Sequence, residues 1–227
     1  MKTKASIVLA SLVAFSSSAQ DFVNLNFENA IVPSRHPQPG EFVFLQWNTA
    51  APGWSHSDGG DTSIIYYGSE HLGLSQYYIL VDQYSPFYAP GGQLAGRYSL
   101  AFASGIQQGS VPGSPWVNAY LAQTGLIPEG MNSLTLLATG PFQVYVDGVP
   151  ISMTPTAENH GFIGDISQYA GTVAEIKIVN TALTVHTPTV LDNVSFSPVP
   201  VPEPTAIAIV ALGVALLGGT RRIPRNR

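Results

Sequence analysis

Two stretches carry side chains whose types and spacing suit ligand chemistry. Trp54-Ser55-His56-Ser57-Asp58-Gly59-Gly60-Asp61 sets two carboxylates across a Gly-Gly turn, with a histidine just before them. Carboxylate oxygens suit calcium, and an imidazole would turn the same loop towards a transition metal. The stretch lacks the EF-hand spacing and its closing glutamate, and a polar loop with Asx turns uses the same residues. The second stretch, Tyr84-Ser85-Pro86-Phe87-Tyr88-Ala89-Pro90-Gly91-Gly92, places three aromatics in one loop. Flat aromatic faces with polar edges suit sugar rings, whose own faces are apolar C–H surface, and exposed loops are where binding concentrates. Trp54, Tyr84, Phe87 and Tyr88 are therefore the candidate ligand-binding residues. The alternative is that these rings fill the core and its lids.

Signatures of catalysis are scarce. The histidines at 36, 56, 71, 160 and 186 show no zincin or nucleophile-elbow spacing, and Gly68-Ser69-Glu70-His71 is not Gly-x-Ser-x-Gly. Carboxylates are spread through the chain without a distinctive pair for glycoside hydrolysis. The absence of cysteine excludes zinc fingers, thiol catalysis and cysteine-ligated clusters. A non-enzymatic protein is expected, with a polysaccharide-active enzyme as the rival from another class.

The elements that must position such residues are strands. The chain is rich in Gly, Pro, Tyr, Phe, Val and Ile, with short apolar runs between turn residues, the composition of an all-β domain. Candidate strands are Phe22–Glu28, Glu41–Trp47, Thr62–Tyr67, Tyr77–Asp82, Arg97–Ala103, Trp116–Ala122, Ser133–Ala138, Phe142–Val146, Thr172–Val179 and Val190–Phe196. Alternation predicts half-buried strands: Tyr98, Leu100 and Phe102 oppose Arg97, Ser99 and Ala101, and Phe142, Val144 and Val146 oppose Gln143, Tyr145 and Asp147. Asp147-Gly148 predicts a hairpin turn, and Asp165–Ala170 a single helical turn. About ten strands in one domain predict a two-sheet sandwich.

The ends of the chain read as addresses. Lys2 and Lys4, the apolar run Ile7–Phe15 and the small residues Ser17-Ser18-Ala19 form a secretory signal peptide over 1–19. At the other end, Pro202-Glu203-Pro204 is followed by the uncharged apolar run 205–220 and by Arg221, Arg222, Arg225 and Arg227. Sixteen helical residues reach about 24 Å, short of a hydrocarbon core of about 30 Å, and Gly213, Gly218 and Gly219 weaken that helix further. The arginines favour a cytoplasmic C-terminus. Between these ends lie a β-sandwich domain over 20–197 and a stiff proline-rich spacer over 198–204.

Trimming the ends sharpens the charge. Arg35, Arg97 and Lys177 stand against thirteen carboxylates, so the domain carries about −10 where the whole chain carries −5. Such a body excludes nucleic acid as a partner, since that binding rests on Lys and Arg at phosphates. It permits cation binding or a neutral partner such as polysaccharide.

Motif, span and basic end in this order resemble the PEP-CTERM sorting signal of exosortase substrates. The resemblance implies export across the inner membrane, transient anchoring by the C-terminal helix and cleavage near Pro202-Glu203-Pro204 by a membrane-embedded protease. The cell surface or the extracellular polysaccharide matrix would be the destination. Within the domain, Asn26-Phe27-Glu28-Asn29, Asp165–Val173 and Leu191-Asp192-Asn193-Val194-Ser195-Phe196 resemble the bracketing motifs of galactose-binding-like jelly rolls, the fold of many carbohydrate-binding modules. That resemblance implies a jelly roll, a specific glycan as the alternative function, and a structural calcium at Glu28 and Asp192. A concanavalin-like sandwich also suits Tyr145–Val149.

Overall fold

The computed structural model describes residues 20–37, 41, 43–57, 64–68, 75–85, 93–106, 116–184 and 187–202. The expected signal peptide, Asp58, Asp61, His71, Phe87, Tyr88, Glu203, Pro204 and the expected C-terminal span with Arg221 and Arg222 lie outside the described residues. No described helix is long and apolar enough to cross a membrane.

The protein is all-β. Its strands are β1 (Val43–Gln46), β2 (Ser55–His56), β3 (Ile64–Tyr67), β4 (Tyr77–Val81), β5 (Ser99–Ala103), β6 (Gly105–Ile106), β7 (Trp116–Val117) and β8 (Tyr120–Leu126). They continue as β9 (Ser133–Thr139), β10 (Phe142–Val146), β11 (Val149–Ile151), β12 (Met153–Pro155), β13 (Gly161–Asp165), β14 (Val173–Asn180) and β15 (Thr189–Ser197). Eight form one sheet in the order β1-β3-β4-β5-β15-β9-β13-β12, five form another in the order β11-β10-β14-β8-β2, and β6 pairs with β7. These pairings are antiparallel except for β3 beside β4.

One apolar cluster joins the two large sheets. Leu100, Phe102, Leu134, Leu136 and Leu191 come from the larger, and Leu121, Val144, Val146, Ile176 and Ile178 from the smaller. Each fully buried side chain of this size contributes about 1.5–3 kcal/mol of transfer free energy. A second cluster, Tyr66, Tyr77, Ile79, Val81, Ala101, Ala103 and Val190 with Leu94, packs on the other side of β3, β4, β5 and β15. Hence β5 is buried at every position, which corrects the half-buried reading of Arg97–Ala103. Its small residues Ser99, Ala101 and Ala103 allow cover on the second face. Alternation does hold in β14, whose residues bury one by one in turn, and in β10 at Val144 and Val146.

The expected hairpin forms, with Val146 opposite Val149 and positive φ at Asp147 (48°) and Gly148 (76°), as a tight primed turn requires. The helical turn falls at Ser167–Tyr169. The expected strand Phe22–Glu28 does not form. Asn24 and Phe27 take φ of 51° and 57°, and the Phe27 amide donates to Asn24 O at 3.2 Å. An asparagine that tolerates the left-handed region, whose own Oδ1 accepts from the Asn29 amide at 2.9 Å, turns the chain here. That turn buries Phe27 against Trp54, with ring centroids 5.5 Å apart.

Candidate functional site

Three strands of the large sheet end on the same rim. Because β3 and β4 run parallel, their C-terminal ends lie together, and antiparallel β5 brings its N-terminal end there. Tyr67 closes β3, Asp82 follows β4 and Tyr98 precedes β5. With Val32–Ser34, His36, Gln83, Tyr84, Gln93, Gly96 and Arg97 they line a cleft of about 380 Å³, at the small end of the usual range of ligand pockets.

Asp82 organises this cleft. Its Oδ1 accepts from the Tyr84 amide at 2.9 Å and the Ser85 hydroxyl at 3.2 Å, and its Oδ2 accepts from the Tyr67 hydroxyl at 2.9 Å. His36 Nε2 lies 3.1 Å from Oδ1, a close electrostatic contact not aligned as a hydrogen bond. Nδ1 of the same ring sits 2.8 Å from Pro37 O, and the ring makes edge contacts with Tyr67 and Tyr84 at 5.5 and 5.3 Å. Burial, and next the hydrogen bond and charge of Asp82, push the Tyr67 hydroxyl up, so it remains a donor. These acid and base groups are spent on one another. His36 Nε2 is buried against Asp82.

The groups left for a ligand are Tyr84, 65% exposed on the rim, the Arg97 guanidinium and the Gln93 amide. Gln93 Oε1 is buried without a hydrogen-bond partner among the described residues. Such an acceptor costs about 1–3 kcal/mol until it is satisfied.

The wall holding Arg97 and Tyr98 is pinned by two other acids. Glu28 Oε1 accepts from the backbone amides of Arg97 at 2.7 Å and Tyr98 at 3.0 Å. Asp192, only 1% exposed, accepts from the Ala95 amide at 3.0 Å and the Ser99 hydroxyl at 2.6 Å through Oδ2, and from the Asn193 amide at 2.6 Å through Oδ1. Burial first, with a smaller push from the Glu28 charge, raises the Asp192 carboxyl to about 6 against these bonds. The two residues expected to share a calcium are thus brought to one loop. There Glu28 Oε1 and both Asp192 oxygens accept N–H and O–H donors.

Trp54 is not a binding platform: it is 4% exposed, stacked on Phe27, and its Nε1 donates to Asn24 O at 3.0 Å. His56, considered above for a metal, packs between Trp47 and Tyr78 at 4.1 and 5.1 Å. Burial lowers its pKa to about 4, so it is a neutral core histidine. Of the two described candidate ligand-binding residues, Trp54 and Tyr84, the second is placed at the cleft. Sequence reasoning missed His36, Tyr67, Asp82 and Arg97, which lie far apart in the chain. The usable signal was the scarcity of basic residues, which leaves Arg97 as one of three in the domain.

No protein-family model and no curated protein matches the sequence. Two solved structures, an apo-form cyclase from Fischerella sp. and a cyclase from Fischerella sp. TAU, are similar at 14% and 13% identity with TM-scores of 0.46 and 0.44. Each likeness covers 81% of this chain and 98% or 99% of the other. So weak a likeness carries no inference about activity.

Proposed function

We propose that this chain is an exported, non-enzymatic surface protein whose β domain binds a saccharide of the extracellular matrix in the cleft at the end of the large sheet. Signal peptide and PEP-CTERM-like tail supply the address, with an exosortase-type protease as processing partner and a transient membrane anchor before release. The domain is read as a jelly roll, a reading supported by two sheets that enclose one core.

The observation that carries the binding role is the composition of the cleft. An exposed tyrosine face and a guanidinium stand open, while Asp82 and Tyr67 are hydrogen-bonded to each other and His36 packs against them. Aromatic faces and hydroxyl-seeking polar groups suit a sugar; internally engaged acids and bases argue against hydrolysis. Glycan-array screening followed by calorimetry on the secreted protein tests the role. Saturable binding is expected, weakened about tenfold in Tyr84→Ala by loss of roughly 1–1.5 kcal/mol of ring contact. A flat array would sink the proposal.

A further inference from the structure

Resting on the cleft as a saccharide site, we infer that it selects a saccharide bearing a carboxylate, a uronic-acid unit, and that Arg97 determines this specificity. The domain holds three basic residues against thirteen carboxylates, so a cation in a cleft runs against its composition. Arg35 pairs with Glu41 at 2.7 Å, and Lys177 rests on the Tyr120 ring, 3.9 Å from its centroid. Arg97 lines the cleft and forms no ion pair with any described carboxylate.

Its head group is nevertheless held. Nη2 donates to the Tyr98 hydroxyl at 3.1 Å, and the guanidinium carbon lies 5.1 Å from the centroid of that ring. Tyr98 itself is buried and fixed through its amide to Glu28. One side-chain bond leaves the other guanidinium donors available, and their planar fork matches a carboxylate through two parallel hydrogen bonds. The cleft's own carboxylate does not compete for this fork. Asp82 already accepts from Tyr67, Tyr84 and Ser85 and lies against His36. In the same cleft Tyr84 offers an exposed ring face. A carboxylate and an apolar ring face together describe a uronic acid better than a neutral sugar or a simple carboxylate.

Calorimetric titration of the secreted protein with trigalacturonic acid and with its methyl ester separates the charge from the ring. The acid is expected to bind at least about tenfold tighter, the size of one charge-assisted interaction. Arg97→Met should abolish that preference, bringing acid and ester to one affinity, while Arg97→Lys restores only part. Near-ultraviolet circular dichroism checks that each variant is folded. Equal affinity for acid and ester, or a preference that survives Arg97→Met, overturns this inference and leaves the saccharide cleft standing. Binding of neutral glycans alone does the same. If no saccharide binds, both readings fall.

Discussion

At the scale of the residue, burial decides what each candidate side chain does. Trp54 and Tyr84 look alike in sequence, each an aromatic beside small polar residues, yet one is sealed in the core and the other stands on the rim. Asp192 shows the same dependence. As a carboxyl in an acidic chain it is unremarkable; within β15, beside β5, it becomes a buried anchor with its pKa raised to about 6 from 3.8. The sign follows directly. The folded state binds this proton more tightly than the unfolded state, so the contribution to stability falls as pH rises from about 4 to about 6. Asp192→Asn should remove up to about 3 kcal/mol of that dependence. Urea unfolding of both proteins at several pH values between 4 and 7 measures it, and identical pH profiles would contradict the assignment.

At the scale of the element, the loop Ala95–Tyr98 is the weak point of the site. Gly96 has a φ of 56°, and a Cβ there would overlap Glu28 Oε1, the atom that holds the Arg97 and Tyr98 amides. Gly96→Ala is expected to cost about 1–3 kcal/mol and to weaken ligand binding by displacing Arg97. A denaturation midpoint equal to that of the parent protein would show that the wall is not held in this way. Most strands were legible because their pattern is local: the periods of Phe142–Val146 and Thr172–Val179, and the Asp147-Gly148 turn. The misreadings have local causes too. Phe22–Glu28 alternates like a strand, but Asn24 closes a turn on itself, and the Gln123 side chain takes up the Val23 backbone in place of a ladder. The short strands β2, β6, β11 and β12 carry too few residues to declare a period.

For the whole molecule, the address and the cargo are separate questions. The sorting reading predicts a mature surface protein without its C-terminal span. Mass spectrometry of the surface fraction should recover peptides from the β domain and none from Ile207 through Arg222; their recovery would overturn removal of the tail. The sequence by itself determined the all-β class and the acidic balance of the domain, because composition and period two are properties of neighbours along the chain. Only the tertiary structure decided the cleft. His36, Tyr67, Asp82 and Arg97 meet because β3 runs parallel to β4 and β5 returns beside them, and no spacing along the chain records which strand ends share a rim.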